Sequence, residues 1–95
     1  MKTHMRVTSL ITFQEVLCSL GDRQKLVLNA IKRLQPCNNL MIQKYLNIPI
    51  NSVTPRTKEL RKRHLVIIYK QSQCPYTQRL TDFYIIPSWI NGLLK

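Results

Sequence analysis

The chain has 95 residues, and its fifteen lysines and arginines face only four acids, for a net charge of +11. A chain of this length buries roughly 60% of its unfolded surface, enough for one core, and falls far short of the about 250 residues of a barrel enzyme. At 44% hydrophobic and 20% charged residues it has the composition of a folding chain, not of a disordered tail. The charge excess points to a polyanionic partner, nucleic acid before membrane.

The four acids, Glu15, Asp22, Glu59 and Asp82, form no close pair in sequence, which leaves little for acid–base chemistry. There is no nucleophile–base motif, and two glycines cannot build a phosphate-cradling loop. The expectation is a protein that is not an enzyme. Cys18, Cys37 and Cys74 are odd in number and widely spaced, and with His4 and His64 they give no paired ligand spacing. No metal, no cofactor and no disulfide framework are expected, only reduced thiols in a cytoplasmic protein. The basic start Met1–Arg6 is not followed by an apolar stretch, so no signal peptide is expected. The run Leu65–Tyr69 is too short to span a bilayer.

In chain order, Thr8 or Ser9 opens a short helix over Leu10–Leu17, with Leu10, Phe13, Val16 and Leu17 on one face. Ser19 and Asp22 stand at capping-box spacing before a second helix. In it Val27, Leu28, Ile31 and Leu34 recur at helical intervals, Arg23, Lys25, Lys32 and Arg33 lie outward, and Pro36 ends it. Asn38 or Asn39 caps a short third helix with Leu40, Met41, Tyr45 and Leu46, which Asn47-Ile48-Pro49 terminates. Asn51 or Ser52 caps a fourth helix to about Arg63, with Val53, Thr57 and Leu60 inward. Pro55 is tolerated in its first turn and would kink it deeper in. His64 suits a left-handed turn. Leu65–Tyr69 and Thr81–Ile86 read as strands around a polar loop, Lys70 to Arg79. Tyr45, Tyr69, Phe83 and Tyr84 sit at core spacing. The tail carries Trp89, Ile90, Leu93 and Leu94, which either pack back on the core or meet another chain, a homodimer partner or a different protein.

Three core helices, two of them joined by a short turn, followed by a hairpin make a mainly helical α+β arrangement, the winged helix–turn–helix, preceded here by a short extra N-terminal helix. The segment from Leu46-Asn47-Ile48-Pro49 through Ser52-Val53-Thr54-Pro55-Arg56 to Glu59-Leu60 and His64-Leu65-Val66 resembles the turn, recognition helix and first wing strand of small bacterial and phage winged-helix DNA-binding proteins. Leu20-Gly21-Asp22-Arg23-Gln24 is similar to the opening of their first core helix, and Cys74-Pro75-Tyr76-Thr77-Gln78-Arg79 to their wing tip. The resemblance covers roughly residues 9 to 86, within a single domain spanning 1–95. Asn47, His64 and Gln78 stand where the pattern has glycines.

The resemblance implies double-stranded DNA as partner, with the recognition helix, about 51–63, in the major groove and the wing, 70–79, on the backbone. Asn51, Ser52, Thr54 and Arg56 are the candidates for base contact, although Asn51 and Ser52 also suit helix capping. Lys58, Arg61, Lys62 and Arg63 are candidates for phosphate. Asn39 and Lys44 on the preceding helix, and Lys70, Thr77 and Arg79 on the wing, complete the set. The role implied is a transcriptional regulator or a phage DNA-handling protein. The alternative is a winged-helix adaptor that binds protein, or the docking module of a replication or recombination complex. No small-molecule ligand and no membrane are expected.

Overall fold

A computed structural model describes residues 15–91, the side chains of Trp89 and Asn91 excepted. The expected caps Thr8 and Ser9, with Leu10 and Phe13, and Leu93 and Leu94 of the tail, lie outside these residues. Residues 15–19 are helical (α1), and Val16 and Leu17 pack half-buried against the core. The elements that follow are α2 (Asp22–Leu34), α3 (Asn39–Leu46), α4 (Ile50–Lys62), β1 (Ile67–Gln73), β2 (Leu80–Ile85) and the single turn α5 (Ser88–Asn91). This is a mainly helical winged helix–turn–helix.

The helical periodicity predicts the core well. Val27, Leu28 and Ile31 of α2 are buried, as are Val53, Thr57 and Leu60 of α4. The helix starts differ from expectation. Ser19 does not cap α2; its hydroxyl donates to the Val16 carbonyl. The cap is Gly21, whose N–H donates to Gln24 Oε1 at 2.9 Å, because Gln24 stands three residues on and reaches back, as the second half of a capping box does. Asn38 caps α3 as expected, accepting from the Met41 N–H. Neither Asn51 nor Ser52 caps α4: the helix begins at Ile50 behind Pro49 with no side-chain cap. Proline's fixed φ favours that entry, and it moves Asn51 and Ser52 into the first turn. Pro55 therefore lies inside the helix.

Asn47 and His64 adopt the left-handed conformation expected of them, with φ of 56° and 61°, and Gln78 does so in the wing at 62°. These three turns are built without glycine, and non-glycine residues enter this region only where side chains tolerate it.

The hairpin is longer than expected. Leu65 and Val66 are buried residues ahead of the strand, and β1 continues through Lys70–Gln73, which composition had assigned to the loop. Its antiparallel register runs from Ile67↔Ile85 to Gln73↔Leu80, with an irregularity between Ile68 and Lys70. Polar residues extend the ribbon because backbone hydrogen bonds hold it, and a cross-strand pair, Gln71 Nε2 to Asp82 Oδ1 at 3.0 Å, adds to them. The loop shrinks to 74–79. Strand β1 meets solvent on both faces, so Tyr69 is exposed, as is Tyr45 on α3, against expectation; Phe83 and Tyr84 of β2 are buried as expected.

The connector between α2 and α3 joins the sheet. Cys37 N–H donates to the Tyr84 carbonyl at 3.2 Å, and Tyr84 N–H donates back at 2.6 Å. Strand β2 thus lies between β1 and this connector. Ile90 of α5 is fully buried in the core, so at this residue the tail packs back on its own chain.

Candidate nucleic-acid interface

Helix α4 has four distinct sides. Its inner side buries Val53, Thr57 and Leu60 against α2 and α3. Its outer side exposes Asn51, Thr54, Pro55, Lys58 and Lys62, at the i, i+3/i+4, i+7, i+11 spacing of one helical stripe. The side toward the hairpin carries Ile50 and Thr54, which line a groove of about 480 Å³ together with the start of α3 (Asn38, Asn39, Leu40) and hairpin residues that include Gln71, Thr77 and Asp82.

The remaining flank faces α2, and Arg56 lies there, half-buried. Arg56 Nε donates to Glu59 Oε1 at 2.8 Å and Nη2 to Oε2 at 3.2 Å. Gln24 Nε2 of α2 donates to the same Oε1 at 2.8 Å. The Gln24 hydrogen bond, then that from Arg56, holds the Glu59 carboxyl below its ordinary range. The only acid of α4 is therefore turned off the outer stripe and spent on Arg56. The i,i+3 spacing of the pair was visible in the sequence; the reach of Gln24 from another helix was not.

The other candidates divide. Lys58 and Lys62 stand free on the outer stripe. Arg63 is exposed beside the end of α4 and its Nη1 donates to Ser19 Oγ at 2.8 Å. Arg61 is half-buried, its guanidinium 5.6 Å from the centre of the Tyr84 ring. Its Nε is buried without a hydrogen-bond partner, and the ring face offsets part of that cost. Burial pushes the Tyr84 phenol up, against the opposing pull of the Arg61 charge. Ser52 is half-buried in the first turn, where its N–H donates to the Pro49 carbonyl. Asn39 is half-buried at the start of α3, and its Oδ1 lies 2.8 Å from the Thr57 hydroxyl, which ties α3 to α4.

On the hairpin, Lys70, Thr77 and Arg79 are exposed. Lys70 lies over the Tyr69 ring at 5.8 Å. Lys44 of α3 lies 4.8 Å from the Tyr76 ring centre, so the wing tip leans on α3. Asn38 reinforces this: besides capping α3, its Nδ2 donates to Thr81 Oγ1 at 3.0 Å. It is 2% exposed. The wing tip closes through Cys74 N–H to the Arg79 carbonyl and Gln78 N–H to the Cys74 carbonyl. Burial pushes the Cys74 thiol up, but hydrogen bonds from the backbone of Tyr76 and Thr77 and from the Asn38 and Thr77 side chains outweigh it and bring it to about 7. Cys37, buried with no such donors, is pushed up to about 12. The sequence singled out Asn38 only as a cap; its contacts with Thr81 and Cys74 span more than thirty residues and leave no local signal.

Among the described residues no three His, Cys, Asp or Glu side chains gather where a metal ion would be held, and no helix is long and apolar enough to cross a membrane.

The chain matches no family model, and no curated protein matches it. Among solved structures it is similar to ZitR of Lactococcus lactis, a mutant in its apo form, with a TM-score of 0.51 and 18% sequence identity over 97% of this chain and 64% of that one. The chain thus spans a little under two thirds of the length of that protein, and at this identity the likeness is one of fold.

Proposed function

We propose that the protein binds double-stranded DNA, with α4 in the major groove and the hairpin on the neighbouring backbone, and that it serves as a transcriptional regulator or a phage DNA-handling protein. One observation carries the reading: the outer stripe of α4 presents an amide, a hydroxyl and two lysines in line, while the helix's only acid is folded away against Arg56. Amide and hydroxyl groups read base edges, and cations near them meet phosphate. The hairpin stands beside this stripe with Lys70, Thr77 and Arg79 exposed, where they would reach phosphate.

Within this reading Asn51 and Thr54 are the base-contacting side chains, and Lys58, Lys62 and Arg63 contact phosphate. Arg56 reaches DNA only if it leaves Glu59 or extends its free Nη1 past it. Lys44 and Asn39 flank the phosphate path at α3, and Asn39 is the less available of the two, being bonded to Thr57.

The test is a salt titration of binding to a random duplex pool, with sequencing of the fraction retained at the highest salt that still supports binding. The expected result is an enriched motif. Asn51→Ala relaxes one position of it, and Lys62→Ala weakens all sequences alike. Absence of duplex binding at moderate salt overturns the proposal.

A further inference from the structure

Helix α4 is divided along its length in a way the charge count does not explain. The cations of α4 all lie in its second half, Arg56, Lys58, Arg61 and Lys62, and Arg63 follows directly. The first half, residues 50–55, carries no charge at all. Its solvent-facing side chains are Ile50, Asn51, Thr54 and Pro55, and Ile50 is 44% exposed. An isoleucine and a proline standing open to water at the leading end of a helix whose other end is cationic call for an apolar feature on a polyanion.

The major groove supplies one. Thymine is the only DNA base that presents a methyl group there, and the adenine paired with it presents the N7 and N6 groups that an asparagine amide matches in bidentate fashion. Pro55 adds a second property: it has no N–H to give the Asn51 carbonyl four residues back, so that carbonyl keeps its accepting capacity on the outer face. The groove beside Ile50 and Thr54 leaves room for a methyl group to enter between helix and wing.

Resting on the DNA-binding reading above, we propose that Ile50, Thr54 and Pro55 form an apolar reading edge for thymine methyl groups. The preferred duplex then carries A·T pairs under the first half of α4, with Asn51 on an adenine and the cationic half on the flanking phosphates.

The experiment uses the full chain and the duplex selected from the random pool. Each thymine in turn is replaced by deoxyuridine, which removes the methyl and leaves every hydrogen-bonding group in place. Removal at one or two positions is expected to weaken binding about fourfold each, the equivalent of one buried methyl. Pro55→Ala, which favours the helix, and Thr54→Ser, which removes a methyl and keeps the hydroxyl, are each expected to abolish the thymine–uracil difference at one position. The salt dependence of both variants should stay that of the parent. A duplex that is bound with a clear motif but is indifferent to uracil everywhere overturns this inference alone. So does a uracil effect unchanged in both variants. If no duplex is bound, the DNA-binding reading fails first and takes this one with it.

Discussion

Arg56 and Glu59, one turn apart on α4, are joined by two hydrogen bonds of 2.8 and 3.2 Å, and Gln24 of α2 closes on the same carboxylate. The pair neutralises itself on the flank of the helix and leaves the outer stripe free of acid. Replacing Glu59 with Gln raises the net charge by one and releases Arg56. Binding to a random duplex at low salt is expected to tighten roughly threefold, with a lower melting temperature from the loosened contact to α2. Weaker binding in Glu59→Gln would mean that the carboxylate holds Arg56 in a productive position.

Lys58 and Lys62 stand free on the outer stripe. Each replacement by Ala is expected to reduce the slope of log K against log salt by about 0.9, the value for one phosphate released from its contact. The preferred motif should not change. A single such variant that alters the motif instead would move that lysine from phosphate to base.

Asn38 is nearly inaccessible and serves two elements at once, capping α3 and holding Thr81 of β2. Asn38→Ala removes the cap, at about 1 kcal/mol, and leaves buried partners unpaired, at about 1–3 kcal/mol more. Urea denaturation should show a loss of roughly 2–4 kcal/mol, far above a surface substitution. Asn39→Ala, whose amide is half-buried, should cost less.

Ile90 is fully buried although it follows the last strand. Ile90→Ala is expected to cost about 2–5 kcal/mol, as for other large-to-small core changes. A change near zero would return the tail to the role of a contact for another chain.

The thiols separate by environment. Cys18 is exposed and Cys37 and Cys74 are buried, so a thiol reagent should titrate Cys18 quickly and the other two only on unfolding. Cys74 lies near 7 in the native state against an ordinary 9.0. A depressed native value contributes stability that is fully present above about pH 9 and is lost as the pH falls through 7. The denaturation midpoints of the parent and of Cys74→Ser should therefore differ more at pH 9 than at pH 6. An equal difference at both would show that the thiol does not titrate in this range.

The parts of this fold that are local are legible in the sequence. The inward stripe Val53, Thr57, Leu60 follows from a 3.6-residue period, and Asn47 and His64 are turn residues because few side chains tolerate their conformation. What the sequence obscures depends on partners distant in the chain. Gln71 and its neighbours look like loop because they are polar, yet β2 supplies hydrogen bonds that make them strand. Tyr69 has the composition of core but lies on β1, a strand open to solvent on both faces. Asn51 and Ser52 have the chemistry of caps, but Pro49 had already started the helix. Of the candidate interface, the cationic half of α4 is plain in the sequence. The engagement of Arg56 by Gln24 and Glu59 is not, because it needs two helices side by side.

The two backbone hydrogen bonds between Cys37 and Tyr84 have a dynamic consequence. They stitch the hairpin to the residues that lead into α3, and Asn38 repeats the link one residue later. The hairpin therefore cannot flap as a separate arm: releasing it strips Tyr84 and Ile86 from the core and undoes the start of α3 in the same event. The amide protons of Cys37 and Tyr84 should then exchange with solvent at the rate of one shared cooperative opening. The base of the hairpin is held against the start of α3 before any partner arrives, and less ordering entropy remains to be lost there on contact.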